Sequence, residues 1–212
     1  MTCALEHHRR EKIRKQMRQR RRALSNEQRQ QAGEQIARHA MDFAPVRTAQ
    51  NIAVFLAHDG EPDTSPLIAR LWNEKKQLCM PVLHPFSRGQ LLFLRYTPDT
   101  VLVSNRFGIP EPALDIRNLV PLNTLDLIFV PLVAFDNHGQ RLGQGGGFYD
   151  RTLQNRSQYS LLPIGLAHDF QYIPTLPRAT WDVPLPVLIT PAKLWQWESM
   201  RAGPQENSDV IF

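Results

Sequence analysis

The sequence of 212 residues has no long apolar run and only two cysteines. A helix that crosses a membrane needs roughly 18 or more consecutive apolar residues. The N-terminal stretch MTCALEHHRREKIRK also lacks the apolar segment of a secretory signal. Cys3 and Cys79 lie far apart, and a buried reduced thiol is the ordinary state of a cysteine in an apolar run such as QLCMPVL. We therefore expect a cytoplasmic protein that does not enter a membrane and whose cysteines have no catalytic role.

Acidic residues are scarce at the start of the chain. Residues 1–30 contain ten Lys and Arg against three Asp and Glu, whereas residues 31–212 contain fifteen against seventeen. The net charge of +5 therefore originates in the N-terminus. A basic run of this kind suits nucleic acid, an anionic membrane, a solvated helix face or a phosphate-bearing small molecule, and composition does not choose among them.

Two helical patterns open the chain. Residues 8–24 are rich in helix formers and carry a thin apolar stripe at Ile13, Met17 and Leu24. The sequence SNEQ at 25–28 has the form of a capping box, which predicts that a second helix begins there. Apolar residues at helical spacing continue this helix until Pro45 closes it. The chain is thus predicted to begin with two helices over about residues 8–43.

Short apolar runs then replace the helical pattern. Four of them are typical of strands that are covered on both faces, at residues 51–57, 77–83, 125–135 and 161–167. Helical patterns at 63–77 and 147–156 separate several of these runs, and LLFLRY and TVLVS favour an antiparallel addition at one edge. The alternation predicts one α/β domain over residues 1–200 with a mainly parallel sheet, followed by a loose tail at 201–212.

The stretch RLGQGGGFYDRTL at 141–153 places four glycines in five positions. It follows the predicted strand at 125–135 and precedes a predicted helix, which is where open α/β sheets bind ligands. Unpaired backbone N–H groups at such a turn favour an anion. The stretch matches neither the GxGxxG fingerprint nor a Walker loop. A glycine-rich surface turn without a ligand therefore remains an alternative.

Two charged residues bracket the glycines. Arg141 offers a planar fork for a phosphate. Asp150 offers a hard oxygen ligand for Mg²⁺. Its position is also explained by the helix dipole, which favours an acid in the first turn of a helix. The residues alone leave both explanations open.

Four motifs, in order, resemble one enzyme family. They are EKIRKQMRQRRRALS at 11–25, FLAHDGEPDTSPLI at 55–68, RLGQGGGFYDRTL at 141–153 and ATWDVPLPVLIT at 179–190. Together they cover nearly the whole chain and resemble the 5-formyltetrahydrofolate cyclo-ligases, also called methenyltetrahydrofolate synthetases. The segment FYDRTLQN at 148–155 is similar to the enterobacterial members in particular.

The resemblance implies an enzyme of folate one-carbon metabolism. Family members use ATP and Mg²⁺ to convert 5-formyltetrahydrofolate into 5,10-methenyltetrahydrofolate, with release of ADP and phosphate. The γ-phosphoryl group passes to the formyl oxygen and N10 then attacks the activated carbon. Such a reaction needs alignment and charge neutralisation more than a protein nucleophile, so the lack of a Ser-His-Asp set or an HExxH motif is expected.

The resemblance also implies a fold and a set of partners. The fold is a single three-layer α/β/α domain with a mainly parallel sheet, of the NagB/RpiA/CoA-transferase-like group, preceded by the N-terminal helices. We expect a monomer that acts on folate, with or without a polyglutamate tail, and that binds no nucleic acid.

Site residues follow from the resemblance, motif by motif. The implied ATP contacts are Arg10, Glu11, Lys12, Ile13, Arg14, Arg141, Leu142, Gly143, Gln144, Gly145, Gly146, Gly147, Phe148 and Tyr149. The implied catalytic cations are Arg14 and Arg141, the implied folate contacts are Arg14, Leu56 and Glu61, and the implied Mg²⁺ ligands are Asp150 and Asp182. A carboxylate such as that of Glu61 suits the N–H donors of a pterin ring, although on position alone Glu61 is an ordinary loop acid.

The glycine loop departs from the family pattern. Many members have cations where this chain has Gln144 and Gly146, and a tyrosine where it has Phe148. Near the implied metal ligand at 182, Trp181 and Pro186 replace a histidine and a second acid that are common in the family. Two alternatives therefore stay open, a folate- and nucleotide-binding protein with weakened catalysis and a nucleic-acid binder that uses the basic N-terminal helix.

Overall fold

Seven strands form the central sheet in a computed structural model that describes residues 2–197 and the side chains of 5–156 and 158–197. The helices are α1 (Thr2–Arg22), α2 (Asn26–Asp42), α3 (Ala44–Thr48), α4 (Ser65–Asn73) and α5 (Phe148–Leu153). The strands are β1 (Asn51–Ala53), β2 (Gln77–Leu83), β3 (Leu91–Arg95), β4 (Leu102–Ser104), β5 (Pro110–Pro112), β6 (Leu127–Pro131), β7 (Ala134–Phe135), β8 (Arg141–Leu142), β9 (Leu162–Leu166), β10 (Val187–Ile189) and β11 (Leu194–Gln196). The tail predicted at 201–212 lies outside the described residues.

The sheet is mainly parallel, as the alternating sequence pattern predicts. Its order is β11–β10–β9–β6–β1–β2–β3, with both edge strands antiparallel to their neighbours and the five inner strands parallel. Ile52 of β1 lies opposite Leu78 of β2 on one side and Leu127 of β6 on the other. The chain order reverses between β1 and β6, so a ligand is expected at the carboxyl ends of these strands.

Separate apolar clusters cover the two faces of the sheet. On one face, α2 and α4 bury residues such as Ile36 and Leu71 against the strands. On the other face, Leu153 of α5 and Trp195 of β11 pack near Ile128. This second layer is thin because α5 has only six residues. The predicted layering of a sheet between helices is confirmed, with loops completing the thinner layer.

Helix α1 packs on the small β7–β8 sheet that follows β6. Its Met17 is buried with Val133, Ala134 and Leu142. No helix in the described part of the chain is long and apolar enough to cross a membrane. The predicted capping box is confirmed, because Ser25 Oγ accepts a hydrogen bond from the N–H of Gln28 at 3.1 Å and Gln28 Oε1 accepts one from the N–H of Ser25 at 2.9 Å.

Two predicted helix boundaries are wrong. Helix α1 begins at Thr2 rather than at residue 8, because helix-compatible residues extend back to the N-terminus. Helix α2 ends at Asp42 because Phe43 adopts extended angles, and Pro45 lies in the first turn of α3 instead of closing α2. A proline needs no backbone N–H in a first turn, so the same residue starts a helix as readily as it ends one.

Three predicted strands also change. The run at 51–57 is strand only to Ala53, and the run at 125–135 divides into β6 and β7. LLFLRY forms the antiparallel edge strand β3 as predicted, whereas the segment TVLVS pairs with β5 in a separate two-stranded sheet. The runs that join the central sheet are largely buried as expected, whereas Leu102 and Val103 of β4 are exposed.

Candidate active site

A cavity of about 500 Å³ opens at the carboxyl ends of β1, β2 and β6. Phe55 and Leu56 follow β1, Met80 and Leu83 belong to β2, and Pro131 ends β6. The cavity therefore lies at the point where the strand order reverses. Its volume is within the range of small-molecule sites.

The β4–β5 hairpin forms one side of the cavity. Phe107 at its tip meets Phe148 at the start of α5 with ring centroids 6.3 Å apart and nearly perpendicular planes. Glu111 of β5 accepts hydrogen bonds from the N–H of Leu83 at 3.2 Å and from the Asn105 side chain at 2.9 Å. The hairpin is thus tied to β2 and gives the cavity an aromatic wall.

The glycine loop, residues 143–147, also lines the cavity. Gly145 and Gly147 have positive φ angles of 108° and 67°, which side chains rarely adopt. Gly143 O accepts a hydrogen bond from Arg14 Nε at 2.8 Å, and Gly146 O accepts one from Arg151 Nη1 at 2.8 Å. Two arginines thus hold the loop through its carbonyl groups.

Arg141 and Asp150 face each other beside the glycine loop. Arg141 is 4% exposed, and its Nη2 lies 2.8 Å from Asp150 Oδ1. Burial lowers the pKa of the Arg141 guanidinium, and the charge of Asp150 opposes that shift. The buried Nε of Arg141 has no hydrogen-bond partner among the described residues. Arg141 is also one of the residues that line the cavity.

Asp150 and Asp182, the two implied metal ligands, are both paired with arginines. Arg10 binds Asp182 through two hydrogen bonds of 2.5 and 2.9 Å, which occupy both carboxylate oxygens. Asp150 accepts both of its hydrogen bonds, from Arg141 and from the N–H of Val183, at Oδ1 and also lines the cavity. Among the described residues, no group of three or more His, Cys, Asp and Glu side chains is placed to hold a metal.

The donor set fits a Mg²⁺ ion that is bound mainly by phosphate oxygens. Such ions usually keep several waters and use only one or two carboxylates of the protein. Asp150 satisfies this requirement through Oδ2. Asp182 remains a predicted second ligand, and it reaches a metal only if Arg10 releases one of its oxygens.

Residues 58–61 form a turn that carries Glu61, the predicted folate contact, and we call it the folate turn after that prediction. Asp59 and Gly60 have positive φ angles of 50° and 76°, and Glu61 is 7% exposed. Glu61 Oε2 accepts a hydrogen bond from the N–H of His58 at 3.1 Å, and Oε1 accepts one from Arg21 Nη1 at 3.4 Å. Burial raises the pKa of Glu61, and the charge of Arg21 opposes that shift. A buried carboxylate thus lines the cavity.

The implied ATP contacts of α1 separate into two groups. Arg10 and Arg14 face inward, toward Asp182 and Gly143. Lys12 is exposed and Ile13 packs near Met17, whereas Glu11 pairs with Arg14 Nη1 at 2.5 Å. Of the described residues 10–14, only Arg10 and Arg14 therefore point toward the implied site, at Asp182 and Gly143. The implied ATP contacts Leu142 and Tyr149 lie against the core clusters, and Tyr149 also lines the cavity.

Three further arginines of α1 reach the site and were missed by the sequence reasoning. Arg18 and Arg22 line the cavity, and Arg21 is fully buried against Glu61. A signal was available, because Arg10, Arg14, Arg18 and Arg21 follow one another at spacings of four, four and three, which place them on one helix face. The inward face of α1 is therefore cationic as well as apolar.

Known proteins match this chain closely. The model of the 5-formyltetrahydrofolate cyclo-ligase family matches residues 6–191. The 5-formyltetrahydrofolate cyclo-ligase of Escherichia coli (strain K12) is 56% identical over 181 residues, which are 85% of this chain and 100% of that protein. The 5-formyltetrahydrofolate cyclo-ligase of Haemophilus influenzae is 50% identical over 176 residues, which are 83% of this chain and 94% of that protein. The predicted similarity to enterobacterial members is confirmed.

Two solved structures have the same fold as this chain. The 5,10-methenyltetrahydrofolate synthetase of Aquifex aeolicus superposes with a TM-score of 0.77 at 30% identity, covering 94% of this chain and 98% of that one. A 5,10-methenyltetrahydrofolate synthetase from Mycoplasma pneumoniae has the same fold, with a TM-score of 0.68 at 24% identity, covering 86% of this chain and 98% of that one. The chain belongs to the 5-formyltetrahydrofolate cyclo-ligase family.

Proposed function

We propose that this protein converts 5-formyltetrahydrofolate into 5,10-methenyltetrahydrofolate at the expense of ATP, releasing ADP and phosphate. The family is ATP-dependent, and the match covers 100% of the Escherichia coli enzyme and 94% of the Haemophilus influenzae enzyme. The observation that carries the proposal is the meeting, in one cavity, of the buried carboxylate of Glu61 and an arginine-flanked glycine loop. The carboxylate suits a ligand that donates hydrogen bonds, and the glycine loop with its arginines suits an anion.

The folate is proposed to bind with its pterin ring at Glu61. The ring presents N–H groups, and a carboxylate accepts two of them at once. Leu56, Met80 and Phe107 provide apolar walls for the ring systems. Arg14 approaches from the side of the glycine loop, where the implied contacts to both substrates meet.

ATP is proposed to bind along the glycine loop. Because glycine has no Cβ, backbone N–H groups can approach phosphate oxygens closely. Arg14 and Arg141 flank the loop and supply positive charge, and Arg10 lies nearby beside Asp182. Helix α5 is short, so its dipole adds little and the arginines contribute most of the charge.

The reaction then proceeds in two steps. The formyl oxygen attacks the γ-phosphorus of ATP, the bond from that phosphorus to the ADP oxygen breaks, and ADP leaves. N10 attacks the activated formyl carbon and loses its proton, and phosphate departs with the former formyl oxygen. Arg14 and Arg141 stabilise the negative charge that spreads over the transferred group, and the protein acts by alignment.

Mg²⁺ would neutralise phosphate charge in this site when bound. Asp150 is the residue best placed to hold it, with Asp182 proposed as a second ligand. The Arg141–Asp150 pair keeps both side chains fixed before a substrate arrives, since the Arg141 side chain is 2% exposed.

We further propose that the protein is a cytoplasmic monomer that binds no nucleic acid. The basic N-terminus raised the question of an anionic macromolecule, but Arg10, Arg14 and Arg21 are all engaged inside the protein. We expect any affinity for RNA to disappear as the salt concentration rises, while turnover of the folate stays unchanged.

The direct experiment is spectrophotometric. The protein is incubated with ATP, Mg²⁺ and 5-formyltetrahydrofolate, and the absorbance of methenyl-folate is followed. We expect product to accumulate only when all three are present. Binding of 5-formyltetrahydrofolate without turnover, under conditions in which a related enzyme is active, would contradict the proposal and favour a folate-binding protein with weakened catalysis.

A further inference from the structure

Arg21, at the end of α1, is fully buried although it carries a permanent charge. Its exposed fraction is 0%, and arginines are almost never buried to this degree unless they are paired. Nη1 lies 3.4 Å from Glu61 Oε1, and Nη2 lies 3.2 Å from Asp59 Oδ2. Its buried Nε has no hydrogen-bond partner among the described residues. The charge of Arg21 is therefore directed at the folate turn.

The backbone of the folate turn also rests on Arg21. A Cβ at Gly60 would lie 2.6 Å from the carbonyl oxygen of Arg21, so only glycine permits this approach. On the other side, Gly60 O lies 3.1 Å from His168 Nε2. The turn is thus held between α1 and His168, and its side chains have little freedom to move away from the guanidinium.

We infer that Arg21 is a positioning residue whose guanidinium fixes the orientation and the negative charge of the Glu61 carboxylate for folate binding. The inference rests on the proposed function of Glu61 as the folate-binding acid. Arg21 itself does not line the cavity and acts through Glu61.

The other groups around Glu61 do not replace this charge. Asp59 in the same turn repels it, and Tyr149 from α5 is buried nearby with a pKa raised by burial and by the charge of Glu61. His58 contributes one backbone N–H and Gln144 of the glycine loop contributes a side-chain hydrogen bond. His168, on the far side of Gly60, has its pKa lowered to about 4 by burial and so remains neutral.

Removing the charge of Arg21 should therefore favour protonated Glu61. Burial already raises the pKa of Glu61, and Arg21 is the largest opposing influence. A protonated carboxyl is a poorer acceptor for two N–H donors, and loss of a charged hydrogen bond costs roughly 10- to 100-fold in affinity. Because the carboxylate is lost to protonation as pH falls, the weakening should be greatest at low pH and recover as pH rises.

The test measures binding of 5-formyltetrahydrofolate by isothermal titration calorimetry without ATP, between pH 6 and 9. For Arg21→Gln we expect the dissociation constant at pH 6 to rise about 10- to 100-fold and to return toward the parent value at pH 9. Arg21→Lys keeps the charge and should follow the parent profile with a smaller loss. Arg70→Gln, which breaks a surface pair with Glu34 outside the cavity, serves as the matched control and should bind like the parent.

Asp59→Asn provides a second test with the opposite sign. It removes the anion that competes for Arg21 and repels Glu61, so the pH at which folate affinity declines should move downward. Such a shift would show that the charges around Glu61 set the affinity for folate, and its absence would contradict the inference. This variant also decides the question if Arg21→Gln does not fold, which melting curves would reveal.

A pH-independent loss of affinity in Arg21→Gln, or an unshifted profile in Asp59→Asn, would overturn the inference. A double variant with Glu61→Gln adds a check, because Arg21→Gln should then weaken binding by less than about twofold more. The measurement requires no turnover, so a protein that binds folate with the expected profile but forms no product would contradict only the proposed function.

Discussion

The glycine loop and the folate turn meet at one cavity, but they are built in different ways. Gln144, Gly145 and Gly146 are exposed, and the loop is held mainly through its carbonyl groups. In the folate turn, Gly60 and Glu61 are buried and are fixed by charged side chains and by close backbone packing. The glycine loop is thus largely exposed backbone, whereas the folate turn is a packed cluster of charged groups.

The difference matches the two ligands that we propose for these regions. A pterin ring is rigid, so a fixed acceptor binds it with little ordering cost. A triphosphate is flexible and highly charged, and an exposed loop can close on it as it binds. We therefore expect changes in the folate turn to alter stability and folate affinity, and changes in the glycine loop to alter turnover.

Replacing Arg141 by methionine tests the glycine-loop side and should have the largest effect. Removal of one preorganised charge donor typically costs about 10²- to 10³-fold in kcat. We expect such a loss of kcat, measured by methenyl-folate absorbance, with the KM for 5-formyltetrahydrofolate changed by less than about threefold. Arg117→Met, which removes an exposed arginine paired with Asp115, is the control. An increase in the KM for 5-formyltetrahydrofolate with kcat unchanged would show that Arg141 contributes to folate binding instead.

Gly60→Ala tests the rigidity of the folate turn. The φ angle of 76° disfavours alanine, and its Cβ would overlap the Arg21 carbonyl at 2.6 Å. We expect the free energy of unfolding to fall by about 2–5 kcal/mol in urea denaturation. Gly108→Ala is the matched control, because its φ is 72° but no heavy atom lies within 4 Å of the new Cβ. Equal losses in the two variants would show that the turn is not closely packed.

The pH dependence of stability tests the same turn through His168. Burial lowers the pKa of His168 to about 4 in the folded protein, below its ordinary value of about 6.5. The unfolded chain therefore binds the proton more tightly, so stability is fully present above pH 6.5 and is lost as pH falls toward 4. Between pH 7 and 4.5 this group should cost about 2–3 kcal/mol.

Urea denaturation of His168→Gln measures that contribution. The variant should be less stable than the parent at pH 7, because the contact with Gly60 is lost, but should lose less stability on acidification. His8→Gln, an exposed histidine of α1, should retain the parent slope. An unchanged slope in His168→Gln would show that His168 does not cause the loss of stability at low pH.

Hydrogen exchange measured by mass spectrometry tests the expected mobility and involves the smallest free energies. A non-hydrolysable ATP analogue with Mg²⁺ should slow the amides of residues 143–147 by about tenfold or more, because residues 144–146 are exposed and their two neighbours are only half-buried in the free protein. The amides of 58–61 should change little, since the N–H of Glu61 is already bonded to His58 O at 3.1 Å. Comparable slowing of hydrogen exchange in both segments would show that the glycine loop is no more mobile than the folate turn.

Much of the fold could be predicted from the sequence because its signals are local. The capping box at Ser25 and the apolar run at 77–83 specify a helix start and a buried strand directly. The end of β1 at Ala53 could not be predicted, because the apolar pattern continues while the chain leaves the sheet to line the cavity.

The candidate site was predictable where a motif resembles the family and obscure where contacts are long-range. The glycine loop and Glu61 stood out, but the Arg10–Asp182 pair joins residues 172 positions apart and has no local signal. The role of Arg21 was hidden for another reason. A run of arginines on a helix is usually solvent-exposed, and only the packed structure shows which of them point inward.

We propose that the two regions together bring the γ-phosphoryl group of ATP to the formyl oxygen. The decisive experiment uses 5-formyltetrahydrofolate labelled with ¹⁸O in the formyl group and mass spectrometry of the phosphate released in a single turnover. We expect the formyl ¹⁸O to appear in inorganic phosphate. Release of the label into water, with unlabelled phosphate formed by direct hydrolysis of ATP, would contradict it.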